Sequence, residues 1–165
     1  MSIGAYSNDV NDSNCGHLQV YIHIGNYWVE VGDDIYGEST VDNSGCYVSI
    51  FRNVMIVPVG AYGNDGNFSW TGHVHIYAHI GNSWVKVGDD IVGESIGDNS
   101  GSYVTISSYG ETVTVGASDH DEFLLNSGNT RVSFDPNHNR LSTSEYLTEE
   151  PTLVPSSSAT VRTSP

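Results

Sequence analysis

Apolar and polar residues alternate along residues 18–24 and again along residues 74–80. A period of two residues places successive side chains on opposite faces of a β-strand. In the second stretch, one face carries Val74 and Ile76, and the other carries histidines and a tyrosine. Shorter apolar runs bounded by Gly, Asn and Ser predict three further strands in this part of the chain: 84–87, 103–106 and 112–117.

The chain repeats itself with an offset of 56 residues. Between residues 4–59 and 60–115 the copies align without a gap, and 33 of the 56 positions are identical. A fixed period of this length indicates a repeat protein. The sequence therefore predicts a first repeat (1–59), a second repeat (60–115), a degenerate partial third (116–140) and a disordered tail rich in Ser, Thr, Pro and Glu (141–165).

Four short antiparallel strands per unit predict an all-β fold of blades, that is, a partial β-propeller. A four-stranded meander cannot bury its apolar faces alone, so neighbouring units must cover them. The chain holds about two and a half such units, whereas propellers typically close with roughly four to eight blades. We therefore expect a fragment of a longer array. An incomplete ring shared between chains and an open stack are the alternatives, and exposed edge strands would favour self-association.

The chain contains the blocks Asp-Asn-Ser-Gly, Val-x-Ile, Val-x-Val-Gly-Ala-Tyr and Gly-His-Val-x-Ile-Tyr. In these blocks it resembles FG-GAP-type repeats, the blades of the integrin α-subunit propeller, which also occur as tandem arrays in microbial surface proteins. The resemblance covers residues 1 to about 135 and implies a propeller, a cell-surface or extracellular location, and adhesion or ligand binding through the loops. The turn that carries calcium ligands in that family has no carboxylate here in either copy (51–54 and 107–110). The family's calcium site is therefore not carried over.

The chain is strongly acidic, with 20 Asp and Glu against 5 Lys and Arg and a formal net charge of −15. Because phosphate contacts depend on Lys and Arg, this charge argues against DNA or RNA as a partner. No apolar run is long enough for a transmembrane helix, so we expect no membrane insertion. The first residues show no basic and apolar leader, and we expect no signal peptide in this chain.

Loop carboxylates offer the densest set of candidate metal ligands. Calcium takes roughly six to eight oxygen ligands, and a loop with four carboxylates in ten residues supplies some of them. The alternative, which we favour, is that these side chains are solvated and cap turns. The candidate ligands are Asp33, Asp34, Glu38 and Asp42 in the first copy, and Asp89, Asp90, Glu94 and Asp98 in the second.

A loop in the second repeat offers candidates for ligand binding. Trp70 has no counterpart in the first copy, where Asn14 stands, so we expect it to be an exposed binding aromatic, with Asp65 and Asn67 in the same loop. Trp28 and Trp84 recur at matching positions, and we expect both to pack between blades.

Histidines and cysteines are candidates for zinc binding and for a disulfide, but their spacing in the sequence requires neither. His73, His75 and His79 share one strand face, but zinc needs converging ligands, and we expect polar packing instead. Cys15 and Cys46 are replaced by hydroxyl residues in the second copy, so we expect no structural role in the repeat, and a disulfide between them stays open.

The sequence lacks a nucleophile elbow, a cysteine with an evident base, and a phosphate-binding glycine loop. We therefore expect a non-catalytic repeat module that binds a protein or a glycan. A structural spacer or assembly repeat without a specific ligand is the first alternative. A propeller-type hydrolase or lyase fragment is the second.

Overall fold

The structure is a computed structural model that describes residues 1–50, 56–65, 69–108, 110, 112–120 and 128–134, with the backbone alone at 132–134. Within these ranges the chain forms eleven β-strands and no helix. The predicted tail (141–165) lies outside the described residues. The strands are β1 (Ser2–Ala5), β2 (His17–Ile24), β3 (Tyr27–Glu30), β4 (Ile35–Tyr36), β5 (Ile56–Ala61), β6 (His73–Ile80), β7 (Ser83–Lys86), β8 (Ile91–Val92), β9 (Ser100–Ile106), β10 (Thr112–Ala117) and β11 (Asn129–Phe134).

The strands form three antiparallel sheets. Sheet I has the order β1-β2-β3, with β4 paired to β2, and sheet II has the same plan, β5-β6-β7 with β8 paired to β6. Sheet III has the order β11-β10-β9. The described strands close no barrel. The all-β prediction is therefore confirmed, as sheets of three to four strands in a partial, propeller-like stack.

The strands predicted from alternation are present. The prediction at 112–117 coincides with β10, and the other predicted strands agree with β2, β6, β7 and β9 to within three residues. The Gly81-Asn82 turn joins β6 to β7, where Ile80 pairs with Ser83, and Gly81 has the positive φ of 66° that such a turn requires. The two-residue strands β4 and β8 were not predicted, because two residues show no period.

Sheets II and III each collect residues from two sequence copies. Strand β5 starts before Gly60, where the second copy begins, and it pairs with β6 from that second copy. On its other side, the Gly60 N–H donates to the Tyr47 carbonyl at 2.9 Å, and Val48 forms an isolated bridge with Val59. The boundary of sheet II therefore falls inside the first sequence copy, a few residues before Gly60.

Two apolar clusters hold the sheets together. The first lies between sheets I and II and contains Leu18, Val20, Ile35, Val57 and Val59. The second lies between sheets II and III. Its buried members and the partly buried residues packed against them match the first cluster at an offset of 56: Val74, Ile76, Ile91, Val113 and Val115. Burial of such a side chain stabilises the fold by about 1.5–3 kcal/mol, and here each sheet provides that burial for its neighbour.

A tyrosine cleft on the outer face of sheet III

A cleft lies along the outer face of sheet III and extends to Tyr47, whose carbonyl accepts the Gly60 N–H of β5 in sheet II. It has a volume of about 710 Å³, and its lining includes Tyr47, Tyr103, Thr105, Thr114 and Thr130. We call it the tyrosine cleft. A volume of this size is within the range of roughly 300–1,000 Å³ that is typical of small-ligand sites.

Strand alternation places Tyr103, Thr105 and Thr114 on the outer face of sheet III, and Tyr47 reaches the cleft from the segment beside β5. Tyr103 pairs with Gly116 across β9 and β10, and Thr105 pairs with Thr114. The intervening valines and isoleucine of the same strands point inward to the second apolar cluster. The outer face therefore carries rings and hydroxyls, and the inner face carries aliphatic groups.

The two tyrosine rings of the cleft form one aromatic surface. The ring centroids of Tyr47 and Tyr103 lie 4.6 Å apart with a 45° tilt between the ring planes. Both side chains are exposed, Tyr47 at 43% and Tyr103 at 59%. Their hydroxyls also interact, since a hydrogen bond with Tyr103 raises the pKa of Tyr47. Aromatic pairs at this distance stabilise each other, so the surface is preformed.

Gly116 leaves room on the sheet for the side chain of Tyr103. A Cβ atom at Gly116 would lie 3.2 Å from the Cβ of Tyr103, so the tyrosine leans over a strand position that has no side chain. In sheet II the positions of Thr112 and Thr114 are occupied by Ile56 and Pro58. The outer face of sheet III is thus more polar than the matching face of sheet II, which sheet III covers.

A smaller cleft of about 320 Å³ lies between sheets I and II, and Asp33, Asp34, Tyr36, Tyr77 and Trp84 contribute to its lining. Asp34 is held by other partners, because its carboxylate accepts hydrogen bonds from Gln19 Nε2 at 3.1 Å and from the Tyr36 hydroxyl at 3.1 Å. Burial alone would raise the pKa of Asp34, but these hydrogen bonds outweigh it and lower the pKa. The Asp34 carboxyl group is therefore ionised and held in place by hydrogen bonds from neighbouring side chains.

The buried acids Asp42 and Asp98 have structural partners. Asp42 Oδ2 accepts the backbone N–H groups of Glu38 and Ser39 at 2.9 and 2.8 Å, and Oδ1 accepts from Asn64 Nδ2 at 2.8 Å. Desolvation raises the pKa of Asp42 and outweighs these hydrogen bonds. Both carboxylates are about 2% exposed, and each connects its own loop to the following copy.

Asp98 repeats this arrangement in the second copy. Its Oδ2 accepts the N–H groups of Glu94 and Ser95, each at 2.8 Å. His120 Nδ1 lies 3.0 Å from Oδ1, at the position that corresponds to Asn64. The aspartate of each Asp-Asn-Ser-Gly block therefore links successive units through hydrogen bonds.

Three of the remaining candidate metal ligands pair with cationic side chains. Glu38 and Asp90 both approach Lys86, at 3.2 and 2.8 Å, and Glu94 pairs with Arg131 at 2.8 Å. Asp33 and Asp89 are exposed. In the described part of the chain, no group of three or more His, Cys, Asp or Glu side chains is placed to hold a metal ion.

Histidines pack between sheets I and II, on the sheet II face predicted from alternation. The rings of His73 and His75 stack with centroids 3.9 Å apart, and His75 Nε2 lies 3.2 Å from Asp90 Oδ1. Desolvation, aided by the neighbouring His75, lowers the pKa of His73 to about 4. The expectation of polar packing is confirmed for these two residues.

The loop predicted to bind ligand is organised by one of its own residues. Asp65 Oδ1 accepts the backbone N–H of Trp70 at 3.0 Å, as Asp9 accepts that of Asn14 at 2.7 Å in the first copy. Trp70 is 44% exposed with a φ of 56°. Its predicted exposure is confirmed, whereas Asn67 lies outside the described residues.

The prediction that both recurring tryptophans pack between blades is right for one of them. Trp84 packs against the first apolar cluster, and its Nε1 donates to the Val31 carbonyl at 2.8 Å. Trp28 is 56% exposed, so the prediction is wrong there. Sheet I has no described sheet against its outer face, and the same side chain therefore stays in water.

Sequence reasoning missed the tyrosine cleft, although a signal for it was present. Tyr47 and Tyr103 recur at the repeat offset, and Tyr103 and Thr105 alternate with Val104 and Ile106.

Both thiols, Cys15 and Cys46, are free. The described residues include no helix long and apolar enough to cross a membrane.

No protein-family model matches this sequence, and a comparison with curated proteins finds no match. The function is therefore inferred from the geometry of the clefts and faces described above.

Proposed function

We propose that this protein is a non-catalytic binding module that takes an uncharged glycan in the tyrosine cleft. The observation that carries the proposal is the pair of adjacent exposed rings, Tyr47 and Tyr103, beside a row of threonine hydroxyls in a cleft of about 710 Å³. The resemblance to FG-GAP-type repeats, with their binding loops, points in the same direction.

The chemistry of the cleft suits a sugar. Aromatic faces pack against the apolar C–H face of a pyranose ring, and tyrosine offers large contact area with little rotamer entropy to lose. Threonine hydroxyls both donate and accept hydrogen bonds, as sugar hydroxyls do. The lining of the cleft includes no Asp, Glu, Lys, Arg or His, so the described walls offer neither an ion pair nor a carboxylate or imidazole for acid–base chemistry.

A screen of immobilised neutral oligosaccharides with the full chain, followed by calorimetric titration of the best ligand, tests the proposal. We expect Tyr103→Ala to weaken binding at least tenfold, because an aromatic contact of this kind contributes about 1.5 kcal/mol or more. The matched control is Tyr27→Ala, which removes a tyrosine that is 75% exposed on sheet I. It should leave the affinity unchanged.

Two results would count against glycan binding. One is the absence of any oligosaccharide that binds more tightly than about 1 mM, a free energy of only about −4 kcal/mol. The other is equal loss of binding in both tyrosine variants. Either result would favour the scaffold alternative, in which the sheets serve only to stack.

A further inference from the structure

The outer face of sheet I is built like a face that is covered elsewhere in the same molecule. Sheet I buries one face of sheet II, on which Val57 and Val59 are 0% and 1% exposed. The residues 56 positions earlier are Met1 and Ile3, and these are 46% and 45% exposed on the outer face of sheet I. The same surface thus exists twice, once covered and once open.

The tryptophans show this relation most clearly. Trp84 lies on the covered face and donates its Nε1 proton to the Val31 carbonyl of sheet I. Trp28 is its counterpart on the open face, where it is 56% exposed and contacts His23 with ring centroids 5.0 Å apart. His79 and Trp84 have the same 5.0 Å separation. Trp28 is therefore already held in the orientation that its counterpart uses at the interface.

The covered face of sheet II and the open face of sheet I differ in charge. At the interface of sheets I and II, Glu38 of sheet I meets Lys86 of sheet II at 3.2 Å. At the interface of sheets II and III, Glu94 meets Arg131 at 2.8 Å. In both cases the covering carboxylate belongs to the earlier unit, and the cation belongs to the later one.

The open face lacks that cation. At the positions of His75 and Lys86, sheet I carries Gln19 and Glu30. On this face Asp34 Oδ1 accepts a hydrogen bond from Gln19 Nε2 at 3.1 Å, and the interaction of Asp34 with Glu30 raises the pKa of Glu30, so two acidic groups are close together there. A covering unit with a carboxylate at the position of Glu38 would be repelled, whereas one with Lys or Arg would find two acceptors.

We propose that the outer face of sheet I binds another unit of this repeat type, one that carries Lys or Arg at the position of Glu38. That unit covers Ile3 with its own Leu18–Val20 face. One of its backbone carbonyls accepts a hydrogen bond from Trp28 Nε1–H. A second copy of this chain does not meet the requirement, because it carries Glu38 and because its Leu18–Val20 face is already covered by sheet II.

The test extends the full chain by one unit. A second copy of residues 4–56 is placed directly before Met1, which keeps Ile3 in the original unit, in one version with Glu38 of the added copy retained and in another with Glu38→Lys in that copy. We expect the lysine version to melt about 3–6 °C higher than the glutamate version, as an interfacial ion pair in place of a repulsive one predicts. Hydrogen exchange at residues 17–30 of the original unit should slow in the lysine version, relative to the unextended chain.

Further variants assign the effect to the proposed face. In the lysine version, Trp28→Ala in the original unit should abolish the gain in melting temperature, and Tyr27→Ala, its exposed neighbour, should keep it. In the glutamate version, Glu30→Lys in the original unit should restore the gain by reversing the charge on the other side, which tests the charge argument with a second pair of chains.

Other outcomes overturn the proposal. These are equal melting temperatures of the two extended chains with unchanged exchange at residues 17–30, or a Tyr27→Ala effect as large as that of Trp28→Ala. Sedimentation of the unextended chain should show a monomer, and a dimer that Trp28→Ala dissociates would show that a second copy covers this face instead.

Discussion

His73 should make the stability of the protein fall as the pH decreases from neutral to mildly acidic values. The residue is 4% exposed, and its ring stacks on His75 between sheets I and II. Desolvation is the main cause that lowers its pKa from 6.5 to about 4, and the neighbouring His75 adds to it. Protonation at this place would bury a charge beside a second imidazole.

The sign follows from which state binds the proton first. In the unfolded chain His73 becomes protonated below pH 6.5, whereas in the folded protein it stays neutral down to about pH 4. Between these values the unfolded state binds more protons, so acid favours unfolding. The contribution of His73 is fully present above about pH 6.5, is lost progressively as the pH falls, and is constant below about pH 4.

The magnitude follows from the size of the shift. A difference of about 2.5 pKa units corresponds to about 3 kcal/mol over the whole range, and about 2 kcal/mol of this is lost between pH 7 and pH 5. Such a loss is a large part of the roughly 5–15 kcal/mol that stabilises a typical domain.

Urea unfolding at pH 7, 6 and 5, followed by tryptophan fluorescence, measures the effect. His73→Gln keeps a polar side chain of similar length without a proton to gain, so its free energy of unfolding should fall by about 2 kcal/mol less than that of the wild type. His23→Gln is the control, since His23 is exposed. Parallel pH dependence in the wild type and His73→Gln would refute the reasoning, because other groups would then cause the acid sensitivity.

Three further substitutions test the repeat comparison. Val41 has a φ of 68° where the second copy has Gly97 with a φ of 77°, so Val41→Gly should raise the free energy of unfolding by about 1 kcal/mol, and a loss of stability would contradict this. Asp98→Ala should lower that free energy by roughly 2–4 kcal/mol, because two backbone N–H groups and a buried imidazole lose their acceptor. An unchanged urea midpoint would show that water replaces the carboxylate. Cys46→Ser reproduces Ser102 of the second copy and should change the unfolding free energy by less than about 0.5 kcal/mol, whereas a large loss would show that the thiol has a role of its own.

The strands could be predicted because their signal is local. Residues 74–80 and 112–117 alternate between apolar and polar side chains, and a sheet with one face in a core requires that alternation. The grouping of strands into sheets is not local. Strand β5 belongs to the end of one sequence copy and the start of the next, and no feature of a periodic sequence indicates where along the period a sheet begins.

Side-chain environment is harder to predict than secondary structure. Trp28 and Trp84 each follow a Gly-Asn turn and precede a valine, yet one is exposed and the other packs on a core. Their difference comes from the neighbouring sheet and not from the sequence around them. For the same reason, the sequence pointed to Trp70, an aromatic residue that has no counterpart in the first copy. Tyr47 and Tyr103 become a pair only when two sheets place them side by side.

The two ends of the stack differ in a way that gives the molecule a direction. Sheet I ends in an apolar face with a tryptophan and uncompensated carboxylates, which is the face that an adjoining sheet covers in sheet II. Sheet III ends in tyrosine and threonine side chains, where sheet II has Ile56 and Pro58 at the corresponding strand positions. Among the described residues, the outer face of sheet III is thus the more polar of the two. The proposed stacking at sheet I and the proposed ligand binding at sheet III therefore use different faces of the three described sheets, and neither site obstructs the other.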